Sequence, residues 1–203
     1  MRRQGGGPVR LPPFRPGMRI GLYGGSFDPP HPGHRHVALT ALKRLRLDRV
    51  WWIATPGNPL KAVGPRATRA DRLAAAARLA RHPRMAVSDV EGELGLVYTV
   101  DTIRYLRRRC PGARLVWIMG ADSLAGLQRW KSWREIARLV PLAVIDRPGW
   151  TFRAIVSPAA TALAGWRIPE PDAGRLVDLQ PPAWVFLHGV RSSASSTALR
   201  EKS

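Results

Sequence analysis

Two histidines, His31 and His34, stand three residues apart inside the segment Gly24-Gly25-Ser26-Phe27-Asp28-Pro29-Pro30-His31-Pro32-Gly33-His34. Imidazole titrates near neutral pH and can donate to phosphate oxygens or stabilise charge on a leaving group. A spacing of three at the start of a helix lets both rings face one ligand. Gly24 and Gly25 carry no Cβ, so a phosphate can come close to the backbone there. Pro29, Pro30 and Pro32 restrict the loop and help preorganise it. This is the equipment for chemistry at a phosphorus atom, not for phosphate binding alone. Neither G-x-x-x-x-G-K-[ST] nor G-x-G-x-x-G is present, so the segment is a different kind of phosphate loop.

Such a loop needs a strand before it and a helix after it. The apolar run Met18 to Tyr23 supplies the strand, near 19–23. Val37, Leu39, Ala41, Leu42 and Leu45 mark a helix near 33–46. Unpaired N–H groups at that helix start, together with its dipole, favour an anion. Downstream, strands are expected at 50–54, 85–88, 115–119, 142–145 and 184–187, and helices at 68–81 and 99–109. One or two short helices fill 122–139, and the Pro- and Gly-interrupted stretch 146–183 has no clear period. Strands alternating with helices predict a single α/β domain: a Rossmann-like parallel sheet with helices on both faces. Ligands of such sheets lie at the carboxyl ends of the strands. Gly24, Pro56 to Lys61, Gly120 to Ser123 and Arg147 all fall at such ends.

Two further segments carry suitable chemistry. Ser195, Ser196 and Thr197 precede Arg200, giving hydroxyl and N–H donors plus a guanidinium suited to bidentate phosphate contact. In Gly120-x-Asp122-Ser123 a Gly turn carries an acceptor carboxylate that suits a ribose hydroxyl, with Asp122 as a plain helix cap the alternative. Thr99 opens the helix at 99–109, where a threonine reads as a cap. Asp28 either orients a histidine or a magnesium-bound water, or shapes the loop.

Composition bounds the rest. The chain has 203 residues and is 45% hydrophobic, enough for one substantial core. Its one cysteine, Cys110, excludes an internal disulfide and a cysteine-based zinc site. Residues 1–17 hold four arginines, four glycines, four prolines and no acid, and read as a flexible arm before a domain spanning 18–203. No apolar run reaches membrane-spanning length and no signal-type apolar core opens the chain, so a cytoplasmic protein is expected. The formal charge of +19 comes almost entirely from arginines spread along the chain, with no aromatic-and-basic RNA motif. That pattern draws in phosphorylated substrates. It argues against specific nucleic-acid or membrane partners, and it says nothing of oligomeric state.

The loop Gly-Gly-x-Phe-Asp-Pro-x-His-x-Gly-His resembles the signature of the nucleotidyltransferases with the H-x-G-H motif. Within them, Met18 to Arg200 is most similar to the bacterial nicotinate-nucleotide adenylyltransferases. The resemblance implies transfer of AMP from ATP to nicotinate mononucleotide, giving deamido-NAD and pyrophosphate, with magnesium brought by the nucleotide and no dedicated protein ligands for it. It makes His31 and His34 catalytic, and implies ATP contacts by Gly24, Gly25, Ser26, Phe27, Gly120 and Asp122. Ser196, Thr197 and Arg200 match the Ser-Thr-x-x-Arg part of a second signature that holds the β- and γ-phosphates. Thr99 (in Tyr98-Thr99-x-x-Thr102), Trp130, Lys61 and Arg147 fall on the mononucleotide side, with Trp130 stacking on the pyridine ring. Lys131 stands where many relatives have Tyr. The alternatives are another adenylyltransferase, for nicotinamide mononucleotide or pantetheine phosphate, or a basic nucleic-acid-binding module built on the same core.

Overall fold

The structure is a computed structural model that describes residues 9–56 and 67–189. Six strands form one sheet in the order β3-β2-β1-β4-β5-β6. They are β1 (Arg19–Gly25), β2 (Arg49–Ala54), β3 (Met85–Ser88), β4 (Arg114–Gly120), β5 (Leu142–Ile145) and β6 (Trp184–Leu187). All pairings are parallel, with Leu22 opposite both Trp51 and Trp117. Two sheet halves therefore diverge from the β1/β4 seam, the place where such sheets open a crevice at their carboxyl ends.

Strand residues alternate between two cores, as the period of two requires. Ile20, Leu22, Trp51, Ile53, Trp117 and Met119 face one side. Tyr23, Val50, Trp52, Ala54, Val116 and Ile118 face the other. Helices α1 (Pro32–Arg44) and α2 (Arg69–Leu79) cover the second face, joined by a 3-10 segment at Glu170–Asp178. The first face carries α3 (Val90–Leu94), α4 (Thr99–Arg109), α5 (Ala121–Leu124), α6 (Trp133–Leu139), α7 (Thr151–Ile155) and α8 (Pro158–Ala162). Gly21 lies where a Cβ would run into the Ile118 and Leu47 side chains, so the sheet needs glycine there.

The strand expectations match to within two residues at each end, and 85–88, 142–145 and 184–187 match fully. Three features differ from the sequence reading. The stretch 146–183 is built from α7, α8 and two 3-10 segments, each too short to display a period. Helix α3 was not anticipated. Residues 9–17, assigned to the flexible arm, lie against the body. Val9, Leu11 and Phe14 pack on the first core, Phe14 meets Trp51 edge-on at 6.2 Å, and Gly17 N–H donates to the Gly112 carbonyl at 2.8 Å. Three apolar side chains among the arginines outweigh the Pro/Gly composition there. Cys110 is buried, and burial pushes its thiol up to about 11, which suits packing rather than reactivity. Among the described residues no helix is long and apolar enough to cross a membrane.

Candidate active site

Strand β1 ends in Gly24-Gly25. A Cβ on Gly24 would stand 2.5 Å from Cζ2 of Trp117, and one on Gly25 would stand 2.9 Å from the Phe27 ring. The backbone here is thus wedged between two aromatic side chains. Phe27 turns the chain with φ at +46°, a left-handed conformation costly for a bulky residue. Its ring offsets that cost by full burial, 5.1 Å from Trp52, 5.7 Å from Tyr23 and 5.2 Å from His34. Phe27 was expected among the ATP contacts. Its side chain fills the floor beneath the loop. Asp28 is buried too and accepts from Ala67 N–H at 3.3 Å, a loop-shaping bond.

His31 and His34 come together as their spacing predicts, with ring centroids 3.8 Å apart. His31 occupies the position before the first turn of α1, and Pro32 opens that turn, where a missing N–H costs nothing. No acidic residue stands in the turn. His31 N–H donates to Nδ1 of His34 at 3.1 Å, and His34 N–H donates to the His31 carbonyl at 2.8 Å. That reciprocal pair fixes the His34 tautomer: Nδ1 accepts, leaving Nε2 to carry the proton in the neutral ring. His31 is 1% exposed, and neither ring nitrogen has a partner among the described residues. Burial first, and the positive charge of Arg147 after it, lower its pKa to about 4. The ring is neutral at pH 7, a buried N–H donor and acceptor.

Across the seam, Gly120 ends β4. A Cβ there would collide with Oδ1 of Asp122 and stand 3.1 Å from Nε of Arg147. The glycine leaves room for an ion pair, Arg147 Nη1 to Asp122 Oδ2, at 3.2 Å. Gly120, not Asp122, is the residue that caps α5, so the plain-cap alternative for Asp122 gives way to this pair. Arg147 follows β5. Its backbone is held by Asp146, whose Oδ1 accepts from Arg147 N–H at 2.8 Å and from the Thr151 hydroxyl at 2.6 Å. The Tyr23 phenol joins the group: burial raises its pKa far above the usual value, against the pull of Arg147. Arg147 was placed with the mononucleotide residues. The structure sets its side chain beside Asp122, Tyr23 and His31, because β5 ends beside β4.

Thr99 and Trp130 form a second group. Thr99 is the first residue of α4; Tyr98 holds the cap position and makes no side-chain capping bond. The cap reading for Thr99 is therefore replaced by an open helix N-terminus. Lys131 places Nζ 4.1 Å from the centre of the Tyr98 ring, which brings the Trp130-Lys131 turn to that helix start. Trp130 is half-buried against the first core. Lys61, Ser195, Ser196, Thr197 and Arg200 lie outside the described residues.

Sequence reasoning passed over Arg72. It is buried on α2, where Nη1 donates to the carbonyls of Ser26 (2.6 Å) and Thr55 (2.8 Å) and Nη2 to that of Pro56 (3.2 Å). One guanidinium thus holds the chain leaving β1 against the chain leaving β2. Nothing local distinguishes Arg72 among so many arginines. The donor set of the loop, imidazoles beside Arg147, suits anions. Among the described residues no three His, Cys, Asp or Glu side chains are grouped to hold a metal ion.

The cytidylyltransferase-like family matches residues 22–202. A Bradyrhizobium protein named probable nicotinate-nucleotide adenylyltransferase is 58% identical, covering 90% of this chain and 95% of its own. A protein of the same name from Methylorubrum extorquens is 58% identical, covering 91% and 100%. The nicotinic acid mononucleotide adenylyltransferase of Plasmodium falciparum, solved in complex with NaAD, superposes with a TM-score of 0.67 at 16% identity, over 90% of this chain and 82% of that one. That likeness extends the fold. The identity to the bacterial proteins goes further: this chain belongs to the nicotinate-nucleotide adenylyltransferases of the cytidylyltransferase-like family.

Proposed function

We propose that this enzyme transfers AMP from ATP to nicotinate mononucleotide, releasing pyrophosphate and forming deamido-NAD. The observation that carries the reading is the His31/His34 pair at the end of β1: one ring buried with neither nitrogen bonded among the described residues, the other held in a fixed tautomer. The 5′-phosphate oxygen of the mononucleotide attacks the α-phosphorus of ATP in line. The new P–O bond forms as the bond to the bridging α–β oxygen breaks, and pyrophosphate departs with that electron pair. A phosphate dianion is already nucleophilic, so the protein needs no general base. Its work is positioning and charge stabilisation.

His34 offers Nε2–H, and neutral His31 offers one ring N–H, to oxygens of the α- and β-phosphates. Arg147 adds positive charge beside His31. Gly24, Gly25 and Ser26 give close backbone approach, while Gly120 and Asp122 face the adenosine end. Asp122 can accept from a ribose hydroxyl while still paired with Arg147. Ser196, Thr197 and Arg200 are assigned to the β- and γ-phosphates, and Lys61 to the phosphate of the mononucleotide. Magnesium brought by the nucleotide would supply charge neutralisation on the triphosphate, with no dedicated protein ligand assigned to it.

The open start of α4 beside Trp130 suits the pyridine end. Trp130 presents a π-face to a flat cation. The N–H groups at Thr99 and the nearby Lys131 are donors; they match a carboxylate and leave an amide NH2 poorly paired. Use of ATP fits a cytoplasmic enzyme. ATP labelled at the α-phosphorus tests the reaction. With nicotinate mononucleotide and magnesium, the label should move into deamido-NAD; label that stays in ATP with every mononucleotide overturns the reading.

A further inference from the structure

We propose that Glu91 is a positioning residue that fixes the mononucleotide end of the site to the triphosphate end. The inference rests on the reading above that the start of α4 receives the mononucleotide. Glu91 lies on α3 and is 4% exposed. Its Oε1 accepts from the Thr102 hydroxyl at 2.7 Å, and the Thr55 hydroxyl also bonds its carboxyl. Thr102 sits one turn into α4, and its N–H donates to the Tyr98 carbonyl at 3.3 Å. Thr55 directly follows β2, and its N–H donates to the Gly25 carbonyl at 3.0 Å. One carboxyl group therefore joins the helix start expected to meet the pyridine ring to the glycine turn expected to meet phosphate.

Burial opposes ionisation of this carboxyl, so its pKa is raised. Packing alone would be served by an aliphatic side chain, but that would strand the fully buried Thr102 hydroxyl. Helix α3 gives the carboxyl a fixed base. Arg69 donates to both carboxylate oxygens of Asp89, just before α3, and a Cβ on Gly92 would run into the Arg69 guanidinium.

The two ends do not depend on Glu91 equally. The phosphate end has a second anchor in Arg72, which holds the Ser26 and Thr55 carbonyls. The start of α4 has no side-chain cap. Loss of the Glu91 carboxyl should thus loosen the mononucleotide end and spare the ATP end.

The test is calorimetric titration of nicotinate mononucleotide and of ATP, separately, into the native chain, Glu91→Ala, Glu91→Gln and Thr102→Val. Glu91→Ala should weaken mononucleotide binding about tenfold, in line with the cost of small misplacements, and ATP binding by less than about twofold. Glu91→Gln keeps an acceptor oxygen for Thr102 and should recover most of the loss. Thr102→Val removes the same bond from the other helix and decides the matter if Glu91→Ala does not fold. Equal weakening of both ligands, or no weakening in either Glu91→Ala or Thr102→Val, overturns the inference alone. A native chain that binds no nicotinate mononucleotide overturns the functional reading and this inference together.

Discussion

His31 and His34 share one motif, yet their surroundings give them different duties. His34 is packed among Phe27, Tyr23 and Trp52 while its Nδ1 caps the His31 N–H. His34→Ala should therefore lower kcat by about 100-fold or more, the usual cost of losing one transition-state donor. The sequence alone predicts little loss of folding stability for that change. The packing and the capping bond revise that to about 1–2 kcal/mol, measurable by urea unfolding. His31 should reveal itself through pH. Its folded pKa, about 4, lies below the unfolded value near 6.5, so the unfolded chain takes up the proton first as pH falls. The stability tied to its neutral form is complete above pH 6.5 and lost progressively toward pH 4, by roughly 2–3 kcal/mol. Unfolding at pH 7 and pH 4.5 should show a larger drop for the native chain than for His31→Gln. Both histidines were legible because their spacing is local. Arg72 and Glu91 were not, since their partners lie on other elements: Ser26 and Thr55 for one, Thr102 and Thr55 for the other.

Elements hold the site through close contacts at strand ends. Gly24 leaves β1 against the Trp117 indole, so Gly24→Ala must push the indole or the turn aside. Overpacking of that kind should cost about 1–3 kcal/mol in stability and reduce turnover together with it. Unchanged stability and turnover would show that the turn has slack the structure does not contain. The strands were readable because each is buried on both faces and so is nearly continuously apolar: Val50 to Ala54 and Leu142 to Ile145 admit no polar residue. Helix α4 was readable from Val100, Ile103 and Leu106 on one face. Helices of five residues, such as α3, α7 and α8, complete barely more than one turn and cannot display a period, which is why 90–94 and 146–183 stayed dark. The neighbours of Arg147 were hidden for a related reason. Its place in the chain was clear, but only strand order sets β5 next to β4 and its Asp122.

At the scale of the whole molecule, a formal charge of +19 surrounds two anionic substrates. Salt screens surface charge over about 10 Å at 0.1 M. Raising ionic strength from 50 to 500 mM with magnesium held constant should raise KM for both substrates several-fold and leave kcat unchanged. A fall in kcat instead would mean that the charge shapes the site rather than attracting its ligands. The same charge invites the competing view of a nucleic-acid-binding module, which a turnover measurement settles directly. The decisive one compares kcat/KM for nicotinate mononucleotide, nicotinamide mononucleotide and phosphopantetheine, by pyrophosphate release from ATP with magnesium. The account predicts that nicotinate mononucleotide is used at least tenfold better than its amide and that phosphopantetheine gives no turnover, the kind of discrimination expected when buried donors are left unpaired. Equal use of acid and amide would contradict the assignment of the α4 start and Trp130, and no turnover with any of the three would contradict adenylyl transfer itself.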